Sequence, residues 1–153
     1  MTNTITFSNL LPENEALLKA WLRLSTSVIN SRIVSAMSYN EALVCNILYP
    51  LTKAGRTMTA TALCQATKML KSQMNRTLNL LENKGMIVRE RSTTDKRQVL
   101  IRFNMEHAKQ YEELHKEVLS IIDHISSKLD KDEAQYAIRL LTKLADLADD
   151  ILE

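Results

Sequence analysis

The chain has 153 residues and a formal net charge of +2, and 45% of its residues are hydrophobic and 25% are charged. These values are ordinary for a globular protein with one domain, or one small domain and an extension. Only two glycines and two prolines occur, which argues against a β-sandwich or barrel and excludes the common glycine-rich phosphate loops, because neither motif fits around Gly55 and Gly85.

Charge is distributed unevenly along the chain. Residues 1–51 are neutral, residues 52–103 carry eleven basic and three acidic residues, and residues 104–153 carry six basic and twelve acidic ones. A central segment at +8 is typical of a surface that binds a polyanion. The alternative is an ordinary solvated surface, but such surfaces usually mix both signs.

Other sites and signals are weak in this sequence. Cys45 and Cys64 are too few for a disulfide scaffold or a zinc cluster, and we expect both to pack in the core rather than act as a redox switch. The histidine spacing does not suit a metal site, no catalytic set occurs, and no cofactor is expected. Residues 1–9 lack a signal-peptide pattern and no run of about 18 apolar residues occurs, so we expect a cytoplasmic protein without a membrane segment.

The first predicted helix runs from Glu13 to about Ala36. Its apolar residues form two neighbouring stripes at helical spacing, which are Leu17, Trp21, Leu24 and Val28, and Leu18, Leu22, Ile29 and Ile33. Such a wide apolar arc predicts a helix that is buried on more than one side.

A second helix is predicted to begin after Ser38, which forms a capping box with Glu41, and to end at Gly55. Pro50 lies late in this helix and is expected to kink or loosen its last turn. Residues 57–59 predict a bridge of extended chain before the third helix.

The third predicted helix is short, covers Ala60 to about Thr67 and is capped by Thr59. We expect Ala62, Leu63 and Ala66 to face inward. After a break near residues 68–69, a fourth helix follows and stops at Gly85. Its predicted inner stripe is Leu70, Met74, Leu78 and Leu81.

Alternating residues then predict a β-hairpin. Residues 86–91 and 98–103 alternate, with Val99, Ile101 and Phe103 on one face, and the polar residues 92–97 form a long tip. A short helix, a turn, a longer helix and a hairpin indicate a winged helix-turn-helix.

The last fifty residues predict two helices with apolar seams at alternating spacings of three and four, the second capped by Asp130. Each also has a second apolar row, which is more apolar surface than one small domain needs, so we expect a dimer interface. Its expected residues are Leu17, Trp21, Tyr111, Val118, Ile122, Ile125, Leu141, Leu144 and Ile151. The alternative is a monomeric hairpin of two helices that satisfy each other.

The outer face of the fourth helix carries polar groups without a carboxylate between Lys71 and Leu81. A merely solvated helix would normally carry Glu–Lys pairs. Arg can pair with guanine, Asn or Gln with adenine, and Ser with either, while Lys71 near the helix start can reach a phosphate. The candidate DNA-reading residues on this helix are Lys71, Ser72, Gln73, Asn75, Arg76 and Asn79.

The hairpin adds further candidate DNA contacts. Lys96 and Arg97 lie at its tip, with Arg89 and Arg91 on the strand that leads to it, and a basic tip can enter a narrow minor groove. Asp95, two residues before Arg97, is expected to brace the tip.

These residues resemble the winged-helix core of the multiple-antibiotic-resistance regulator (MarR) family. The resemblance rests on the run from Leu81 to Arg89, which matches a Leu-Glu-x-x-Gly-hydrophobic-hydrophobic ending, and on the wing signature Asp95-Lys96-Arg97. It implies that Arg97 enters the minor groove, that Asp95 braces the wing, that the helix from Lys71 reads the major groove, and that the terminal helices pair two subunits.

The predicted fold is mainly α, a winged helix-turn-helix at residues 38–104 with a short β-hairpin wing. Flanking dimerisation helices lie at residues 1–37 and 105–153. We expect a homodimeric transcription regulator, a repressor rather than an activator, that binds a pseudo-palindromic operator on double-stranded DNA. A small-molecule effector is implied by the family alone. The alternatives are a winged-helix module that binds proteins and not DNA, and a small helical enzyme.

Overall fold

The structure, a computed structural model, describes residues 12–30 and 37–152. Side chains are described at residues 13–27 and 37–151, so the predicted stripe positions Val28, Ile29 and Ile33 lie outside the described side chains. The chain divides after Phe103 into two compact units. No helix in the described part of the chain is long and apolar enough to cross a membrane.

The first unit contains four helices and a small sheet. The helices are α1 (Pro12–Asn30), α2 (Tyr39–Lys53), α3 (Ala60–Thr67) and α4 (Lys71–Asn83), and the strands are β1 (Met58–Thr59), β2 (Ile87–Arg91) and β3 (Val99–Phe103). The second unit contains a 3₁₀ turn (Met105–His107) followed by α5 (Ala108–Ser126) and α6 (Lys131–Leu152). This order confirms the mainly helical winged helix-turn-helix.

The strands form an antiparallel sheet in the order β1-β3-β2. The hairpin pairs Ile87 with Phe103 and Arg91 with Val99, which confirms the predicted hairpin. Residues 58–59 do more than bridge two helices. They form β1, the additional strand of the sheet, in which Met58 pairs with Ile101 of β3. β3 is therefore the central strand of the sheet and pairs with both β1 and β2.

One core joins α2, α3, α4 and the sheet. Its fully buried side chains include Val44, Leu48, Leu63, Met74, Leu78, Leu81, Ile101 and Phe103. The ring of Phe103 meets that of Tyr49 edge-on at 5.2 Å between centroids, and its N–H donates to Oγ1 of Thr52 at 2.9 Å. The last turn of α2, which continues through Pro50 to Lys53, is thus fixed to the end of β3.

The predicted helix caps are confirmed. Ser38 and Glu41 form the capping box of α2, and Thr59 accepts from the Ala62 N–H at the start of α3. Gly55 and Gly85 follow α2 and α4 with positive φ angles of 71° and 72°, the left-handed conformation that favours glycine after a helix.

Two positions that we predicted to face inward, Leu70 and Ala66, are exposed, and so is Val99, which was predicted only to share a face with Ile101 and Phe103. Leu70 is 68% exposed because it is the N-cap of α4 with extended backbone, so the helical projection does not apply to it. Thr77 is buried on α4 instead. Ala66 in the last turn of α3 and Val99 at the first position of β3 are also exposed, since the core ends before both.

Helix α1 does not bury its apolar arc within one chain. Leu17, Leu18, Trp21, Leu22 and Leu24 are all about half exposed. The expectation that α1 is buried on more than one side is therefore wrong for a single chain.

Helices α5 and α6 likewise keep large apolar side chains exposed, among them Leu119, Ile122, Ile125, Ile138, Leu141 and Ile151. Tyr111 differs, because it is only 6% exposed and its ring stacks on His115 at 5.9 Å between centroids. Helix α6 begins with a reciprocal capping box between Asp130 and Glu133, which confirms Asp130 as its cap.

A buried carboxylate links α2 to the end of α4. Glu41 is 3% exposed; its Oε2 accepts from the Ser38 N–H at 2.7 Å, and its Oε1 lies 2.7 Å from Nζ of Lys84. Burial by itself raises the pKa of Glu41, but the Lys84 ammonium and the Ser38 hydrogen bonds outweigh it and lower the pKa below 4.5. The carboxylate is therefore charged at neutral pH and depends on Lys84.

We predict that Lys84→Met lowers the free energy of unfolding by about 2 kcal/mol at pH 7. This loss is smaller than that for a fully buried ion pair because Lys84 is half exposed. A carboxyl group whose pKa is lowered by folding stabilises the fold at pH values above its unfolded pKa. The difference in unfolding free energy between the variant and the parent should therefore shrink as the pH falls below 4.5. Urea denaturation from pH 3 to 7 measures this, and Lys128→Met is the matched control. A difference that does not depend on pH would contradict the assignment.

Candidate nucleic-acid interface

Helix α4 has one buried and one exposed face. Met74, Thr77, Leu78 and Leu81 are buried. The exposed residues include Lys71, Ser72, Gln73, Asn75, Arg76, Asn79, Leu80 and Asn83. The structure therefore places every candidate reading residue of this helix on its outer face, where hydroxyl, amide and guanidinium groups are presented without a carboxylate from Lys71 to Leu81.

The start of α4 is organised by Gln73. Its Oε1 accepts from the N–H of Leu70 at 3.2 Å, so Gln73 takes part in capping the helix and does not present a free carbonyl. Lys71, in the first turn, is exposed beside N–H groups that have no partner within the helix. Those N–H groups and the ammonium together suit a phosphate.

Asn79 and Arg89, both predicted to contact DNA, bond to each other. Nη2 of Arg89 donates to Oδ1 of Asn79 at 2.8 Å, and Nη1 lies 3.4 Å from Oε2 of Glu82. Arg89 is thus directed from β2 onto α4 and fixes the wing against this helix. It is less available to a phosphate than the sequence suggested.

The wing tip is built around Ser92, which sequence reasoning missed. Ser92 is 6% exposed, and its Oγ accepts from the N–H groups of Thr94 at 3.3 Å and Asp95 at 3.1 Å. Its own N–H donates to the Gln98 carbonyl at 3.0 Å. The sequence does carry a signal for this turn, namely a serine three residues before an aspartate in a polar tip. This spacing is typical of turns in which a side-chain oxygen accepts from backbone N–H groups.

Asp95 braces the tip through the backbone. Its Oδ1 accepts from the N–H of Arg97 at 3.0 Å, and its carbonyl accepts from the Gln98 N–H at 2.9 Å. The carboxylate therefore orders the tip and leaves the side chains of Lys96 and Arg97 exposed.

Acidic groups in this module are engaged internally. Glu82 pairs with Arg89, and Oε1 of Glu90 accepts from Arg102 across the hairpin at 2.6 Å. Arg76, Arg91, Lys96 and Arg97 are exposed and make no ion pair with the residues that the structure describes. Positive charge on α4 and the wing is therefore left for an external partner.

The remaining candidates show no chemistry. Cys45 is fully buried, and burial, helped by the charge of Glu41, raises the pKa of its thiol to about 12. It is therefore an unreactive core residue, whereas Cys64 is half buried. No cluster of His, Cys, Asp and Glu suited to a metal ion occurs within residues 12–30 and 37–152.

We predict that Asp95→Ala disorders the wing tip, because the Arg97 N–H loses its acceptor. Amide hydrogen exchange at Arg97 should speed up by roughly 5-fold or more, as for the loss of a bond worth about 1 kcal/mol. Asp95→Asn keeps an Oδ1 acceptor and is the matched control, with exchange close to that of the parent. Equal exchange in the alanine variant would show that the side chain does not order the tip.

Comparisons with known proteins agree with this architecture. Residues 42–98, which run from α2 to the wing tip, match the MarR family. Among curated protein sequences, none matches the chain.

Several solved structures share the fold. The transcriptional regulator BldR from Sulfolobus solfataricus is 14% identical, with a TM-score of 0.73 over 90% of this chain and 99% of that one. The PcaV transcriptional regulator from Streptomyces coelicolor, solved with its natural ligand, is 17% identical, with a TM-score of 0.69 over 94% and 99%. MepR from S. aureus, solved in a complex with DNA, is 16% identical, with a TM-score of 0.67 over 90% and 98%.

At these identities the structures show a shared fold, and the family match adds a likeness over residues 42–98. The family members with this fold are transcriptional regulators rather than enzymes. Residues 42–98 of this chain are therefore similar to the MarR family, and the chain has the winged helix-turn-helix fold of these structures.

Proposed function

We propose that this protein is a sequence-specific regulator of transcription that binds double-stranded DNA as a homodimer. The observation that carries the proposal is the outer surface formed by α4 and the wing. Between Lys71 and Leu81 α4 presents amides, a hydroxyl and Arg76 with no carboxylate, and the braced wing tip presents Lys96 and Arg97. Such a surface suits base edges and phosphates.

The two parts of this surface have different tasks. Helix α4 enters the major groove, where Arg76 reaches guanine and the amides and Ser72 reach other base edges. The wing tip reaches the flanking minor groove with Arg97, while Lys96 and Arg91 contact phosphates. MepR, which shares the fold, was solved on DNA, and this supports the assignment.

Dimerisation is supported by the apolar side chains that one chain leaves uncovered. Leu17 and Trp21 on α1, Ile122 and Ile125 on α5, and Leu141 and Ile151 on α6 are each about half exposed or more. Val118 and Leu144 lie on the same seams and are partly buried. Tyr111 is already buried within the chain and contributes through its packing rather than as an open contact.

A two-fold axis would present two copies of α4 to one face of the duplex. Recognition helices in such dimers enter major grooves roughly 34 Å apart, so the operator is a pseudo-palindrome. The dimer acts in the cytoplasm as a repressor by occupying this site. PcaV was solved with its natural ligand, which supports a small-molecule effector that releases the DNA.

A second function is favoured by one observation. Leu70, the N-cap of α4, and Leu80 on α4 are exposed, and a protein-binding winged helix would use apolar residues at this place. Both lie among polar and basic side chains, however, and that composition fits DNA better. Binding of duplex DNA by the purified chain separates the two functions.

We expect Arg76→Ala to reduce discrimination between the selected operator and its variants at one base pair by roughly 5- to 150-fold. Arg97→Ala should instead weaken binding to all duplexes and lower the salt slope by about one unit. Electrophoretic shifts at several salt concentrations measure both. Lys109→Ala, which removes a charge from α5, is the control and should bind like the parent. Equal affinities for all four proteins would exclude the DNA assignment.

We also expect Leu141→Asp to shift the protein from dimer to monomer, since a carboxylate cannot be buried in an apolar interface without a partner. Sedimentation equilibrium measures the mass, and the variant should lose DNA binding at the same protein concentration. Gln135→Asp, at an exposed polar position of α6, should remain dimeric. A parent chain that is monomeric at micromolar concentration would end the dimer proposal.

A further inference from the structure

A side-chain contact joins the exposed side of α4 to the wing. Arg89 donates from Nη2 to Oδ1 of Asn79 at 2.8 Å, and its Nη1 lies 3.4 Å from Oε2 of Glu82. Its Nε has no hydrogen-bond partner among the described residues, so the two terminal nitrogens hold the guanidinium. With one nitrogen directed at Glu82, the other has a defined position from which to bond Asn79.

This contact fixes the orientation of the Asn79 amide. A guanidinium has donors and no acceptor, so only the carbonyl oxygen of Asn79 can face it. The Nδ2 group must then lie on the opposite side of the amide, where Asn79 is exposed, and Nδ2 donates no hydrogen bond within the described part of the chain. Asn79 therefore presents two N–H donors outward.

The orientation has a consequence for base recognition. A free asparagine pairs with adenine by accepting from N6 through its oxygen and donating to N7 through its nitrogen. In this chain the oxygen is directed at a cation, and the N6 donor of adenine would approach that same positive group. Guanine instead offers two acceptors, N7 and O6, on its major-groove edge, and these suit an outward amide nitrogen.

We propose that Arg89 determines base specificity through Asn79. It is a positioning residue that holds the amide with its nitrogen outward, so that Asn79 selects guanine and rejects adenine at one base pair of each half-site. The proposal deepens the function proposed above and rests on it. It gives Arg89 a role in reading sequence without any contact to a base.

Selection from a randomised duplex library tests the proposal. The full-length chain is incubated with the library, bound duplexes are sequenced, and base preferences are compared among the parent and the variants Asn79→Asp, Arg89→Met and Glu82→Gln. For the parent we expect one position with a guanine-over-adenine preference of roughly 10-fold, within the range for a good side-chain pair. In Arg89→Met, the amide is free to turn, and this preference should fall to about 2-fold or less while other positions keep theirs.

Asn79→Asp keeps a partner for Arg89 and therefore preserves the wing contact even if Arg89→Met does not fold. Its carboxylate offers only acceptors, so the preference at that position should change from guanine to cytosine, whose N4 is a donor. Glu82→Gln removes one charge beside Arg89 and leaves the Asn79 bond in place. It is the matched control and should keep the guanine preference.

The outcomes are distinguishable. Retention of the guanine preference in Asn79→Asp, or a uniform loss of affinity in a folded Arg89→Met with every base preference intact, would overturn the proposal. So would a parent that selects adenine at the position that responds to Asn79, although sequence-specific binding would then stand. A parent that enriches no sequence would instead refute the proposed function itself, before any variant is compared.

Discussion

The orientation of α4 depends on the buried carboxylate of Glu41. This group lies at the start of α2, and the ammonium of Lys84 meets it from the end of α4 at 2.7 Å. Because a buried carboxylate without a partner is unfavourable, separating the end of α4 from α2 costs about 2 kcal/mol. The buried apolar face of α4 fixes the rotation of the helix about its axis. The contact between Glu41 and Lys84 fixes the position of its C-terminal end. The outer face is therefore presented in one orientation.

The internal contacts of its few acidic groups explain how the winged module is strongly basic and still compact. Self-repulsion opposes the folding of a segment at +8. Glu82 and Glu90 each take an arginine from the β-hairpin, and Asp95 accepts from a backbone N–H in the tip. Each acid thus lowers the repulsion between nearby basic groups, and its contact also holds part of the hairpin in place. Since the described contacts direct these acids into the module, its outward field remains positive.

The sequence predicted the elements well where local rules decide them. Caps at Ser38, Thr59 and Asp130 and the glycines after α2 and α4 mark helix ends that depend on a few adjacent residues. Prediction failed at Leu70, where a helical projection was extended over a residue that is not helical. It also missed Ser92, since burial of a hydroxyl in a turn depends on how the chain closes around it.

The candidate site shows the same limit in its chemistry. The outer residues of α4 followed from periodicity, but periodicity treats each side chain as free. The bond between Asn79 and Arg89 joins residues ten positions apart in different elements, and Glu82 was simply one of three acids in a basic segment. Which amide atom faces outward is decided by such contacts. The residue types therefore indicate a nucleic-acid interface, while the tertiary contacts decide which atoms of each amide face outward.

The terminal helices extend this dependence on contacts beyond one chain. Most side chains of α1, α5 and α6 are exposed, and a helix with an uncovered apolar face gains little stability from propensity alone. Such helices become stable when an external apolar surface covers them, and a second copy supplies a matching surface by symmetry. In the proposed dimer, assembly and folding of these helices are one process, and the stability of the helices rises with protein concentration. The apolar side chains that a single chain leaves exposed also set the spacing of the two copies of α4 in the proposed dimer.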